Sequence, residues 1–131
     1  MRNINEFNIP HGDLHGYEIM YFGVNLILML DYRLSFDIEA KNSDKGIEVL
    51  IISRKDVEVW KNNDGYSEVK IYYNNQGNRI HDIFRPSVSD AYAFILNNRS
   101  SQHEVKTVEV TLIHNWYQEI KESGLKGKAI D

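Results

Sequence analysis

Apolar and polar residues alternate along much of this chain. Between Tyr32 and Ala40 every second side chain is apolar, while the intervening positions carry Arg, Ser, Asp and Glu. A period of two predicts a β-strand with one buried face and one wet face. Between Ile47 and Ile52 the apolar residues are almost consecutive, which predicts a strand that is buried on both faces.

The segment from Tyr92 to Ile113 reads YAFILNNRSSQHEVKTVEVTLI, an aromatic strand, a polar turn and a strictly alternating strand. We interpret it as a β-hairpin whose aromatic and β-branched side chains pair across the two strands. Every second residue of its second strand, Val108 to Leu112, is expected to face inward. A further polar cluster at Asn74–Asn78 is predicted to be a turn.

Short strands of this kind recur about eight times and are separated by polar turns. This pattern predicts an all-β fold, a two-sheet antiparallel β-sandwich or jelly roll of about eight strands. With 131 residues the chain has the length of one domain, which we expect to span residues 1–131 with its core at about 14–114.

Two segments carry helical signals. Residues 53–62 fit a short helix by their Ser-x-x-Asp capping pattern, or a strand by their alternating valines, and the sequence leaves both open. Near the C-terminus, Asn115 and Gln118 form a capping-box pattern and Gly124 stands where a helix-ending glycine belongs. A short C-terminal helix at about 116–123 is therefore predicted.

Composition narrows the range of functions. The net charge is −4 and the basic residues do not cluster, so we expect no nucleic-acid binding, which depends on a basic face. The most apolar run, Ile19–Leu30, is too short to span a membrane, and the N-terminus does not have the form of a secretory signal. We therefore predict a cytoplasmic protein. There is no cysteine to form a thiolate metal site, and no cofactor is predicted.

The segments YAFILNNRSS and KTVEVTL resemble the terminal hairpin of the GOLD (Golgi dynamics) domain and its prokaryotic relatives. The stretch EVLIIS at Glu48–Ser53, followed by a short segment ending in Trp60, is also similar to that family. The resemblance covers Tyr32 to Ile113 and implies a compact β-sandwich that serves protein or ligand contacts, without catalytic residues. Eukaryotic members carry a signal peptide, cysteines, a coiled coil and a membrane anchor. We predict none of these here, so membrane-cargo sorting is not carried over.

The stretch HGDLHG at 11–16 resembles two catalytic motifs. In phosphotransferases of the aminoglycoside type, an asparagine that holds magnesium follows the aspartate by five residues, and here Glu18 stands at that position. In metallophosphatases, the corresponding aspartate and histidine need GNH and GDxxD motifs farther along the chain, and the sequence has neither. Because a motif requires its context, the stretch is better interpreted as a polar turn before Tyr17.

A metal site is nevertheless an open alternative. His11, Asp13 and His15 lie close together in the sequence and have the side chains that bind zinc or iron. A metal-dependent enzyme would use these residues, together with His81 if the strands converged. The paired His-x-His of a cupin-type site does not occur in the sequence.

Aromatic residues provide the other functional hint. Trp60, Tyr66 and Tyr72 are candidate binding residues, since exposed rings stack on sugars or anchor protein interfaces. Packing within the two sheets, or a contact between copies of the chain, would explain them equally well. We therefore expect a non-enzymatic β-sandwich module for protein–protein interaction or self-association. The alternatives are a small-ligand or carbohydrate-binding sandwich and the metal-dependent enzyme.

Overall fold

Two antiparallel four-stranded sheets pack face to face in this protein. The structure, a computed structural model, describes residues 2–43, 45–62, 69–101, 104–120 and 125–126. The first sheet has the strand order β1-β8-β3-β6 and the second has the order β2-β7-β4-β5. These strands are β1 (Arg2–Ile9), β2 (Tyr17–Val24), β3 (Leu30–Ala40), β4 (Ile47–Ser53), β5 (Ile71–Gly77), β6 (Arg79–Phe84), β7 (Asp90–Asn97) and β8 (Lys106–Tyr117).

The strand order is that of a jelly roll. Only the connection from β4 to β5 stays within one sheet, and each other connection in this series passes to the opposite sheet. Two interlocked Greek keys of eight strands have this arrangement. The predicted two-sheet β-sandwich is confirmed. A short additional pair is formed by β9 (Glu119–Ile120) and β10 (Leu125–Lys126).

The predicted hairpin between Tyr92 and Ile113 is wrong. β7 pairs with β2 and β4 in the second sheet, whereas β8 pairs with β1 and β3 in the first. The segment between Asn97 and Lys106 is long enough to cross the roughly 10 Å that separates packed sheets. The inward-facing residues of β7 and β8 therefore meet across the core, and not as neighbours within one sheet.

The core between the sheets follows the period of two that the sequence shows. In β3 each inward-facing residue from Tyr32 to Ala40 is buried, and the residues between them are partly exposed. Strand β8 repeats the pattern with Val108, Val110 and Leu112. These residues are joined in one hydrophobic cluster by Ile47, Val49 and Ile51 of β4 and by Tyr92, Phe94 and Leu96 of β7.

A second, smaller hydrophobic cluster covers the outer face of the second sheet. A 3-10 turn at Arg54–Asp56 leads into α1 (Val57–Asn62), so the helical alternative for residues 53–62 is correct. Val57 and Trp60 of α1 pack on residues of β4 and β7 that point away from the main core. This helix explains why β4 is buried on both faces. The strand residues beneath it are Leu50, Ile52, Ala93 and Ile95.

The predicted C-terminal helix at 116–123 is wrong where the structure describes these residues. Trp116 and Tyr117 continue β8, and Glu119–Ile120 is a strand. The alternation of β8 extends this far because Trp116 faces the Tyr32 ring, 6.1 Å away between ring centroids. Positions 121–124 lie outside the described residues. No helix in the described part of the chain is long and apolar enough to cross a membrane.

Candidate functional site

Trp60 is a core residue. Its side chain has 0% exposure and meets the Tyr17 ring edge-on at 5.5 Å between centroids. The guanidinium carbon of Arg99 lies over the Trp60 ring, 3.9 Å from the ring centroid. Trp60 therefore has no free face for a sugar or a protein partner.

Tyr72 lies on the opposite face of the second sheet from Trp60. It is half-buried against the main core, with its ring edge-on to Tyr92 at 5.3 Å. The Lys70 ammonium lies 5.1 Å from its ring centroid. Tyr66 lies outside the described residues. The structure does not bring Trp60 and Tyr72 to one surface, so these two rings do not form a joint binding face.

The HGDLHG stretch forms a polar turn, as the sequence predicts. The Gly16 amide donates to the Gly12 carbonyl at 2.8 Å, and His11, Asp13 and His15 are exposed. Across the part of the chain that the structure describes, no group of three His, Asp or Glu side chains is arranged to hold a metal ion. The metal-dependent alternative thus has no preformed site within the described ranges.

Asn98 fixes this turn to the rest of the molecule. Its side chain is fully buried, and Nδ2 donates to the carbonyls of Ile9, Pro10 and Glu104 at 3.2, 3.0 and 2.9 Å. Its backbone amide donates to the Gly16 carbonyl at 2.6 Å. One side chain therefore ties the 10–16 turn to the loop between β7 and β8.

Beside these loops lies a polar cleft of about 350 Å³. It is at the end of the sandwich where β2 and β8 begin and β7 ends. Carboxylates, amides, a hydroxyl and two cations from separate parts of the sequence meet here. The residues that line the polar cleft are Asp13, Glu48, Gln76, Asn97, Arg99, Ser100 and Lys106.

Lys106 is the unusual member of the polar cleft. Its exposure is 7%, because it occupies the inward-facing row of β8 that continues through Val108 and Val110. Burial lowers the pKa of its ammonium group, against the attraction of Glu104. Within the described ranges, its Nζ has no hydrogen-bond acceptor and no ion-pair partner. An ammonium group in this position is costly unless an anion joins it.

The acidic side of the polar cleft is held in place by amides. The Glu48 carboxylate accepts from Asn97 Nδ2 at 2.7 Å and from Asn74 Nδ2 at 3.1 Å. Asn97 Oδ1 in turn accepts from the Arg99 backbone amide at 3.0 Å. These bonds give Glu48 a fixed orientation, so it can present an acceptor to the cleft without rearranging.

A small cavity of about 130 Å³ lies between the edges of the two sheets, next to β1 and β2. His114 lines it, and the His114 Nδ1 and Tyr32 Oη atoms share a hydrogen bond of 2.6 Å. Burial lowers the pKa of His114 and raises that of Tyr32. Both shifts favour the neutral form of the side chain, and the Phe22 ring lies 5.7 Å from the imidazole between ring centroids.

At the end of the sandwich opposite the polar cleft, the turn between β2 and β3 exposes apolar side chains. Ile27 is 84% exposed and Leu28 63%. Asn25 Oδ1 accepts from the amides of both residues, at 3.0 and 3.3 Å, which fixes the turn. The Leu26 amide donates to Ser89 Oγ at 2.8 Å, and Val88 beside it is 44% exposed. We call Ile27, Leu28 and Val88 the apolar tip.

Sequence reasoning overlooked Lys106, Arg99 and Asn98. A signal for Lys106 exists, since the alternation that places Val108 and Val110 inward places Lys106 inward as well. A charged residue on a buried strand face is an informative exception to that pattern. For Arg99 and Asn98, which follow a strand in a polar loop, the local sequence carries no such signal.

No family model matches the chain, and no curated protein matches its sequence.

Proposed function

We propose that the protein is a non-enzymatic β-sandwich module that makes protein–protein contacts through the apolar tip, with a second copy of the chain as the partner. The exposure of Ile27 and Leu28 on a hydrogen-bonded turn carries this proposal. Burying one such side chain contributes about 1.5–3 kcal/mol. A turn that is already fixed loses little conformational entropy on binding.

Charges beside the apolar tip support a contact between two copies. Asp31 lies 3.4 Å from both Arg33 and Arg85, so both signs occur next to the exposed apolar residues. In a two-fold symmetric contact, each surface meets an identical one. Two such surfaces can exchange arginine–aspartate partners, whereas a patch of one sign would repel its copy.

The proposal includes three expectations that come from the sequence. These are the resemblance of residues 32–113 to GOLD domains, the absence of an enzymatic activity and a cytoplasmic location. The first of these stays a prediction, because a β-sandwich fold is by itself no evidence for a GOLD domain.

The test is native mass spectrometry with sedimentation analysis of three proteins over a range of concentrations. These are the wild type, the double variant Ile27→Ser/Leu28→Ser and the control Leu14→Ser. Leu14 is 79% exposed at the opposite end of the sandwich, so the control also removes exposed apolar surface. We expect concentration-dependent dimers for the wild type and the control, and monomers for the double variant.

Two results would overturn the proposal. A wild type that is monomeric at every concentration has no self-association to explain. Dimers that persist in the double variant place the contact elsewhere. Binding of the wild type, but not of the double variant, to vesicles of neutral phospholipid would assign the apolar tip to a membrane surface instead.

A further inference from the structure

We propose that the polar cleft binds a small molecule that carries one carboxylate group and several hydrogen-bond donors, with the carboxylate placed at Lys106. This site lies at the other end of the sandwich from the apolar tip. It is therefore independent of self-association and can be tested separately.

The need for an anion follows from Lys106. The residue as a whole is 7% exposed and lines the cleft, and its ammonium group has no hydrogen-bond or ion-pair partner among the described residues. Folding removes part of the water around such a group, and a negative group that approaches it offsets this loss. Glu104 attracts the group electrostatically but makes no ion pair with it.

Arg99 does not duplicate this role. Its Nη1 donates to the Lys61 carbonyl at 3.0 Å and its Nη2 to the Trp60 carbonyl at 3.1 Å. These bonds, together with stacking on Trp60, occupy the guanidinium on the side of α1. Of the two cations that line the polar cleft in the described part of the chain, Lys106 is thus the one whose charged group makes no hydrogen bond.

The lining also limits the charge of the ligand. Asp13 and Glu48 bring two carboxylates to the same cleft, and a phosphate dianion would be repelled by both. A single carboxylate can bind at Lys106 while the rest of the molecule offers hydroxyl or ammonium donors to the acidic side. Gln76, Asn97 and Ser100 add neutral hydrogen-bonding groups to the lining of the cleft.

The size of the cleft fits a monosaccharide acid or an amino acid. Its volume of about 350 Å³ lies at the small end of ligand sites, which span about 300–1,000 Å³. At about 30 Å³ per water molecule this is space for roughly a dozen waters. The hydroxyls of a sugar acid and the ammonium of an amino acid are the two sources of donors.

Four probes separate these sources, titrated into the wild type and followed by NMR. D-glucuronate carries a carboxylate with hydroxyls, and L-glutamine carries a carboxylate with an ammonium group. D-glucose lacks the charge, and inorganic phosphate lacks the organic donors. We expect saturable shifts at Lys106 and Gln76 with one or both carboxylate probes at millimolar concentration, and weaker binding of glucose and phosphate. If neither carboxylate probe saturates, or if phosphate binds as tightly, the proposal is wrong.

The variant Lys106→Met tests the assigned residue, because methionine keeps an unbranched chain without the charge. We expect the affinity for the binding probe to fall at least about tenfold, because the variant loses one charge-assisted hydrogen bond to the carboxylate. The control Lys55→Met removes an exposed lysine from the 3-10 turn at Arg54–Asp56 and should bind as the wild type does.

The melting temperature of the ligand-free protein gives a second measurement. Without ligand, Lys106→Met should melt at a higher temperature than the wild type, because it removes the charge of a mostly buried residue that makes no ion pair among the described residues. A lysine that served only the fold would give the opposite result. A lower melting temperature with unchanged probe binding would overturn the proposal.

Discussion

The guanidinium of Arg99 covers the ring of Trp60 at 3.9 Å and at the same time donates to the carbonyls of Trp60 and Lys61. These carbonyls lie near the C-terminal end of α1, where no further helical turn supplies amides to donate to them. A helix of six residues is unstable by itself and depends on tertiary contacts. Arg99 therefore fixes α1 on the outer face of the second sheet.

The first prediction follows from this contact. Arg99→Ala should lower the free energy of unfolding by about 3 kcal/mol, because it removes a desolvated cation–π contact and two charge-assisted hydrogen bonds. The matched control is Arg54→Ala, which removes the exposed Arg54 guanidinium 4.6 Å from the Tyr21 ring and should cost less than about 1 kcal/mol. Urea unfolding measures both. Equal losses would show that burial adds nothing to the Arg99 contact.

The second prediction concerns Asn98. Asn98→Asp replaces the donor that reaches three carbonyls with an oxygen that repels them, and its charge would be buried. We expect it to destabilise the protein more than Asn98→Ala, which should cost about 2 kcal/mol through unpaired carbonyls. Thermal unfolding of both variants provides the comparison. If Asn98→Asp were the milder change, the hydrogen bonds from Nδ2 would not be what holds the loops.

The sequence was sufficient for the class of fold but not for the pairing of strands. Alternation identifies the buried rows of β3 and β8, because side chains on a strand point to opposite faces in turn. It cannot distinguish two strands that pair in one sheet from two that face each other across a core. Both arrangements bury the same residues. The misassigned hairpin at 92–113 has this cause.

Local polarity was misleading at the edge of the second sheet. The predicted turn at Asn74–Asn78 lies mostly within β5, which ends at Gly77. An edge strand tolerates polar residues because water reaches one side of it. Asn74 also binds Glu48 across the strand pair, a contact that only the register reveals.

The polar cleft could be predicted only in part. Lys106 is marked by its place in an apolar row, but the other lining residues come from four separate segments of the chain. Their meeting depends on the jelly-roll connections, which local patterns do not specify. The buried position of Trp60 is likewise set by α1 and Arg99, and not by its neighbours in the sequence.

The third prediction compares three glycines. A Cβ at Gly46 would clash with the backbone of Gly77, and the φ of +75° at Gly46 is unfavourable for other residues. Gly12 has a φ of +93° but open space, and Gly23 has open space with no such φ. Changing each glycine to alanine should therefore destabilise the protein most at Gly46 and less at Gly12. The change at Gly23 should be nearly neutral. Thermal unfolding of the three variants checks this order. A mild effect at Gly46 would contradict the close approach of Gly46 to Gly77 at the end of β5.

The fourth prediction is a loss of stability in mild acid caused by His114. An unfolded histidine titrates near pH 6.5, but burial lowers the pKa of His114 in the folded protein. Below about pH 6.5 the unfolded chain therefore binds a proton that the folded protein resists. As the pH decreases below this value, the contribution of His114 to stability becomes smaller, until the pKa of the folded protein is reached.

The variant Tyr32→Phe/His114→Phe isolates this contribution, because it removes both partners of the 2.6 Å hydrogen bond and leaves neither unpaired. Its free energy of unfolding should decrease less than that of the wild type between pH 7 and pH 5. The matched control is His81→Gln, which removes an exposed imidazole from β6. Urea unfolding at both pH values measures the difference. If the double variant kept the full acid sensitivity of the wild type, the buried imidazole would not be its source, and the remaining titrating groups would have to account for it.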